Sequence, residues 1–191
     1  MKRLDGSPVQ RVTDTPTSEM FPVWAPDGRG LAFDVRPAAG APVITPGVVV
    51  VTFRAAGGGW LRADTLGPGR RPVWSPDGRA VAYPEARGIG VVVYSLESRT
   101  SRVVYRSTGS EPGVDLVEWA SDGRTLFFKG TDVRGLVGIW SVTEGKRPRL
   151  LVRFPPPDVL STRGFATDGK RFYFTLGDRE SDVFVAEVTG R

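Results

Sequence analysis

Four aspartates recur at positions 27, 77, 122 and 168, at intervals of 50, 45 and 46 residues. A ring of carboxylates at such regular spacing could hold a cation. Each of the four, however, is followed by glycine: Asp27-Gly28, Asp77-Gly78, Asp122-Gly123 and Asp168-Gly169. Asp-Gly is turn chemistry, and the flanking residues lack the alternating oxygen donors of a calcium loop. Gly57-Gly58-Gly59 and Gly88-Ile89-Gly90 could pass for phosphate-cradling loops. Neither opens a helical pattern and neither carries the lysine such a loop uses, so both read as hairpin turns. The chain has no histidine and no cysteine. That excludes Ser-His-Asp and Cys-His nucleophile systems, disulfides and the usual zinc cages. The sequence therefore assigns no catalytic, cofactor-binding or metal-binding residue, and the expectation is a chain that is not an enzyme.

The remaining chemistry is charge. Of 26 basic residues 22 are arginine, and the net charge is +5 with a pI near 10.0. A basic balance can signal nucleic acid or an anionic surface. The short clusters Lys146-Arg147-Pro148-Arg149 and Arg70-Arg71 are not interleaved with aromatics as in a single-strand binder. The arginines read as spread singly over the surface, and no nucleic-acid partner is expected. The longest apolar stretch, Val48 to Phe53, falls far short of the roughly 20 residues of a membrane span, so no membrane insertion is expected. No apolar segment follows Met1-Lys2-Arg3-Leu4-Asp5-Gly6. The chain as written thus has no signal peptide and is expected in the cytoplasm.

The elements that position these residues are repeats. Pro22-Val23-Trp24-Ala25-Pro26-Asp27-Gly28-Arg29 is matched without gaps by Pro72-Val73-Trp74-Ser75-Pro76-Asp77-Gly78-Arg79 and by Val117-Glu118-Trp119-Ala120-Ser121-Asp122-Gly123-Arg124. Arg163-Gly164-Phe165-Ala166-Thr167-Asp168-Gly169-Lys170 is a weaker fourth copy. A period of this length belongs to propeller blades. In each copy an apolar strand ends on the aromatic residue and a second begins near Leu31 or its equivalent. The intervening residues fit a type I turn closed by a left-handed glycine. Two further strands complete each period: Val48 to Phe53 and Trp60 to Ala63, Gly90 to Leu96 and Arg102 to Tyr105, Val137 to Val142 and Leu150 to Phe154. Runs such as Val91-Val92-Val93 and Phe172-Tyr173-Phe174 are apolar on both faces, as a sheet sandwiched between neighbours requires. No helical period is present. Residues 36–42 read as an insertion, and Pro155-Pro156-Pro157-Asp158 as a stiff connection.

The expected fold is thus an all-β propeller of four-stranded antiparallel blades, with four blades at about 20–66, 70–107, 114–155 and 160–191. Residues 1–14 read as a blade-completing strand that could close the last blade beside Val183 to Val188. Trp24, Trp74, Trp119 and Phe165 are expected to pack between blades, Trp140 in the core, and Trp60 less deeply. Leu176 to Asp182 reads as a solvated turn. Arg134, Arg163 and Asp115 are candidates for the channel mouth.

Pro-Val-Trp-Ser-Pro-Asp-Gly-Arg, with an aromatic-ending second strand, resembles the WD40-like repeat of TolB-type β-propellers. Phe21 to Gly28 and the preceding Val12-Thr13-Asp14-Thr15 match the start of such a blade, and the resemblance covers nearly the whole chain. It implies a non-catalytic binding scaffold that presents loops to a protein or peptide partner. It also implies two alternatives: the accessory propeller of a prolyl-oligopeptidase-like serine peptidase without its catalytic domain, or the sensor end of a bacterial kinase or transcription regulator. Propellers of this family usually have six or more blades. The resemblance therefore implies the C-terminal four blades of a larger propeller, with self-association through open blade flanks, and a periplasmic setting for a longer parent.

Overall fold

The computed structural model describes residues 11–14, 17–36, 47–55, 59–61, 64–154, 164–177 and 181–187. They form fifteen strands, and no helix occurs among the described residues. The first sheet runs β1 (Ser18–Trp24), β2 (Gly30–Arg36), β3 (Val48–Phe53) and β4 (Asp64–Pro68). The second runs β5 (Val73–Trp74), β6 (Ala80–Pro84), β7 (Gly90–Ser95) and β8 (Thr100–Arg106). The third runs β9 (Leu116–Trp119), β10 (Leu126–Thr131), β11 (Val137–Val142) and β12 (Arg149–Phe154). The last has three strands, β13 (Phe165–Thr167), β14 (Arg171–Gly177) and β15 (Ser181–Glu187). Every pairing is antiparallel between consecutive strands, which is the up-and-down order of a propeller blade.

The first three Asp-Gly turns are built alike, while in the fourth the Gly169 N–H donates to Thr167 Oγ1 at 2.9 Å and the Asp168 N–H to the Arg171 carbonyl at 3.4 Å. In the first, the Gly28 N–H donates to the Ala25 carbonyl at 2.9 Å, and the Ala25 N–H to the Gly30 carbonyl at 2.9 Å. Gly28, Gly78, Gly123 and Gly169 have φ of +69°, +71°, +64° and +87°, a region that disfavours any side chain. Each aspartate accepts a backbone N–H two residues on: Arg29 at 2.9 Å, Arg79 at 3.0 Å, Arg124 at 2.8 Å and Lys170 at 2.8 Å. The carboxylates are thus committed to holding turns.

The sheets stack face to face, and alternation along the strands sends side chains to opposite neighbours. On β7, Val92 and Tyr94 join a core with the first sheet's Ala32, Val51 and Leu66. Val91 and Val93 join the next core with Val117, Leu126 and Phe128 of the third sheet. A third core unites Phe127, Ile139 and Phe154 with Phe165, Phe172 and Phe174 of the last sheet. The sheets also touch through their first strands, β1 against β5 and β5 against β9.

Two expectations are revised. The first sheet's fourth strand is Asp64–Pro68, not Trp60 to Ala63. Trp60 makes an isolated bridge to Arg54, beyond the end of β3, and Leu61 N–H donates to the Phe53 carbonyl at 2.8 Å. Trp24 is not sealed between blades. It is 42% exposed where Trp74 is 7% exposed, because no sheet lies on its side of the first blade among the described residues. The strand proposed at 1–14 falls mostly outside the described residues. Of the rest, 11–14 form no strand, and Val12 packs against Leu31 and Phe33 of the first sheet. The 36–42 insertion beyond Arg36, the Pro155 to Asp158 connection and Arg163 also lie outside the described residues.

A cationic cluster at the inner-strand end

The starts of β5 and β9 and the ends of β2 and β10 converge on one end of the stacked sheets. Asp115, just ahead of β9, sits at the middle of this end. Arg70 Nη2 stands 3.4 Å from its Oδ1, Arg71 Nη1 3.9 Å from the same oxygen, and Lys129 Nζ 3.4 Å from Oδ2. The lysine is buried, and its backbone carbonyl accepts the Asp115 N–H at 2.9 Å. Arg70 Nη2 also donates to the Val114 carbonyl at 3.4 Å. Three cations thus share one carboxylate, and the Nε–H groups of both arginines are buried without an acceptor.

A second group adjoins the first. The Arg71 guanidinium lies over the Phe21 ring at 4.6 Å, and Arg36 approaches the same ring at 5.9 Å. Arg36 Nε is 3.6 Å from Oδ2 of Asp34, whose carboxylate is fully buried with no hydrogen bond on either oxygen. Burial raises the Asp34 carboxyl above the usual range, and Arg36 and, more weakly, Arg71 oppose that rise.

Phe21 and Arg71 occupy the same place in the repeat, each directly before proline, and both are left-handed, with φ of +53° and +48°. In the third blade Val117 replaces that proline, and Leu116 there is ordinary strand. The proline breaks the inner strand. In β1 the break appears as a register shift between Met20 and Val23. It turns the preceding side chain out toward the end of the blade. Non-glycine residues in this region cost of order 1–3 kcal/mol, and such residues gather at ligand clamps.

Of the sequence candidates, Asp115 lies at the centre of this cluster. Arg134 instead lies on an exposed turn whose backbone N–H donates to Asp132 at 2.9 Å. Arg70-Arg71 read as dispersed surface charge, yet the pair is drawn into the cluster. Lys129 and Asp34, inside apolar strands, gave no signal beyond being charges in strands otherwise buried. Lys146-Arg147-Pro148-Arg149 stays on a turn between β11 and β12. Trp140 is half-buried on the second core with its indole N–H unpartnered, and Trp60 is half-buried against Trp24 at 5.6 Å between ring centroids. Elsewhere a groove of about 670 Å³ runs between β4 and β8, floored by Leu66, Tyr83, Val92 and Val103. Among the described residues no three His, Cys, Asp or Glu side chains gather to hold a metal ion, and no helix is long and apolar enough to cross a membrane.

No protein-family model matches the sequence, and no curated relative matches it. Solved structures do. The β-propeller domain of the trilobed protease from Pyrococcus furiosus is 16% identical, with a TM-score of 0.57 over 91% of this chain and 55% of that one. TolB from Acinetobacter baumannii is 16% identical, with a TM-score of 0.63 over 97% of this chain and 45% of that one. Acylaminoacyl peptidase from Pyrococcus horikoshii is 15% identical, with a TM-score of 0.62 over 90% of this chain and 31% of that one. At these identities the likeness is one of fold: the chain forms four blades of a β-propeller. It spans about half the length of the first two structures and a third of the last.

Proposed function

We propose that this chain is a non-catalytic binding module of the TolB-like kind, the C-terminal blades of a larger propeller. Its cationic end engages an acidic segment of a protein or peptide partner. The observation that carries the reading is the convergence of Arg70, Arg71 and Lys129 on the single carboxylate of Asp115. The Nε–H groups of both arginines lack an acceptor, and carboxylates pair with guanidinium in matched geometry. The blades supply a rigid frame, so the mechanism is presentation of preset charges without bond chemistry.

The test is a titration of the whole chain with a fluorescent Asp/Glu-rich peptide, followed by anisotropy. Binding is expected to weaken with added salt and to fall about tenfold or more in Arg71→Gln, the size of effect seen when one member of an interfacial charge pair is truncated. Binding that is absent, or indifferent to Arg71→Gln, would reject the reading.

The peptidase structures among the similar folds favour a second reading, the accessory propeller of a serine peptidase whose catalytic domain lies elsewhere. Both readings expect no peptide turnover by this chain. Turnover abolished by a serine-directed inhibitor would overturn both.

A further inference from the structure

The outer strands of the first three blades each carry one extra residue at the same place. Their registers shift between Val49 and Val50, between Val91 and Val92, and between Ile139 and Trp140. The extra residues are Leu66, Val104 and Leu151. At such a bulge two successive residues oppose one on the partner strand. Here both members of the pair serve the joint with the following blade. In the second blade Val104 and Tyr105 enter the core shared with the third. In the third, Leu151 and Val152 pack on the core shared with the last. In the first blade the pair is Leu66 and Gly67. Leu66 enters the core shared with the second blade, and Gly67 brings no side chain.

The two joints differ accordingly. Tyr105 stacks on Phe128 at 5.0 Å between ring centroids, and its hydroxyl donates to the Pro112 carbonyl at 2.6 Å. Tyr83 holds the place of Phe128 one blade earlier, but Gly67 offers it no ring. The hydroxyls of Tyr83 and Ser101 instead donate to the Leu66 carbonyl, at 3.2 and 3.3 Å. The groove of about 670 Å³ opens here, with Gly67, Tyr83, Ile89 and Val103 among its walls. Ile89 is 38% and Val103 45% exposed. The groove lies between the first two blades, so its shape depends on neither flank of the stack. Two exposed arginines, Arg87 and Arg106, also line it, and Arg106 is paired with Glu85. Arg87 has no ion pair among the described residues. Arg87 and Ile89 belong to the turn joining β6 to β7, and a Cβ on Gly88 of that turn would stand 3.3 Å from Arg70 Nη2. One turn thus separates the cluster around Asp115 from an apolar groove of ligand size.

We propose that the partner segment carries, besides its acidic residues, a bulky apolar side chain that enters this groove and takes the place Tyr105 fills at the next joint. The inference rests on the acidic-segment reading of the cationic end and adds the partner's second determinant. Two observations select that occupant. The position Gly67 leaves empty is one that an aromatic ring fills one blade on. Arginines also stand on both sides of the intervening turn, Arg70 at Gly88 and Arg106 in the groove, along the route of a segment that spans the two sites. About three extended residues, at roughly 3.3 Å each, cross such a turn.

Anisotropy titrations of the whole chain with two labelled peptides test this. In one, a central Asp/Glu run is flanked on each side, about three residues away, by phenylalanine. In the other, alanine stands at those positions. The native chain should bind the phenylalanine peptide about tenfold more tightly, the gain from burying one large apolar side chain. Val103→Gln and Ile89→Gln should each shrink that ratio roughly threefold or more, since each removes part of the apolar wall. Both residues are exposed, and either variant alone decides the point if the other fails to fold. Arg71→Gln should weaken both peptides and keep the ratio. Equal native affinities that both fall in Arg71→Gln overturn the groove and leave the cationic-end reading standing. A phenylalanine preference indifferent to both groove variants likewise overturns the groove. A preference lost in the groove variants, with both affinities unmoved by Arg71→Gln, supports the groove and rejects the cationic end. Failure of both peptides to bind rejects both.

Discussion

Glu118 stands where Val23 and Val73 stand in the earlier blades. It pairs with Phe127 across β9 and β10 and shares its face of β9 with Leu116, which packs toward the last sheet. Burial alone pushes its carboxyl from 4.5 up to about 7. Between those values the unfolded chain has lost this proton while the folded chain keeps it. The group therefore costs stability progressively as pH rises from about 4.5 to 7, with a constant penalty above. Glu118→Gln removes that slope and should gain about 2 kcal/mol over the native chain at pH 8, with little gain at pH 4.5. Urea midpoints of both proteins at the two pH values decide it; an equal difference at both would reject the assignment. At the same scale, Phe165 replaces the repeat tryptophan. It gives up the indole bond and packs edge-on to Phe172 at 5.8 Å.

At the scale of elements, the connection from β8 to β9 holds Asp115 in place through its backbone. Gly113 N–H donates to the Thr131 carbonyl at 3.0 Å, Val114 N–H to the Gly88 carbonyl at 2.6 Å, and Asp115 N–H to the Lys129 carbonyl at 2.9 Å. The segment is thereby clamped between the edge of β10 and the turn joining β6 to β7. A Cβ on Gly130 would stand 2.1 Å from the Gly113 carbonyl oxygen, a backbone atom with no rotamer to escape into. Gly130→Ala is therefore expected to cost about 2 kcal/mol or more by displacing this connection. It should also weaken acidic-peptide binding, because Asp115 and the arginines around it move. Gly145→Ala, on an exposed turn with open space around its Cβ, is the control: it should lose stability from its φ of +74° and leave binding unchanged. Thermal melts and the peptide titration on the two variants separate these effects.

For the whole molecule, one repeat position has two different weights. Trp74 is enclosed by Gly30 and Phe53 of the preceding blade and bonded to Val23. Trp74→Ala should cost about 3–5 kcal/mol, the range for deleting a buried large aromatic. Trp24→Ala should cost about 1 kcal/mol or less when measured at dilution, since much of that ring meets solvent. Comparable losses at both sites in denaturant titrations would mean that the Trp24 flank is covered within one chain.

The sequence by itself determined the blades. The Asp-Gly spacing, the turn chemistry and the runs apolar on both faces are local. Local backbone preference and side-chain periodicity fix strands and hairpins wherever they agree. Strand β11 falls where the pattern put it, while β4 begins at Asp64, past the expected Trp60 to Ala63. Only the tertiary structure decided which charges meet. Arg70 and Asp115 are far apart in sequence and meet only because the second and third sheets present the same ends side by side, while Lys129 joins them as Asp115's neighbour across the β9–β10 hairpin. The same holds for Trp24. Its type and spacing equal those of Trp74, and what separates them is whether another sheet lies against the flank, a property of neighbours in space that no residue type encodes.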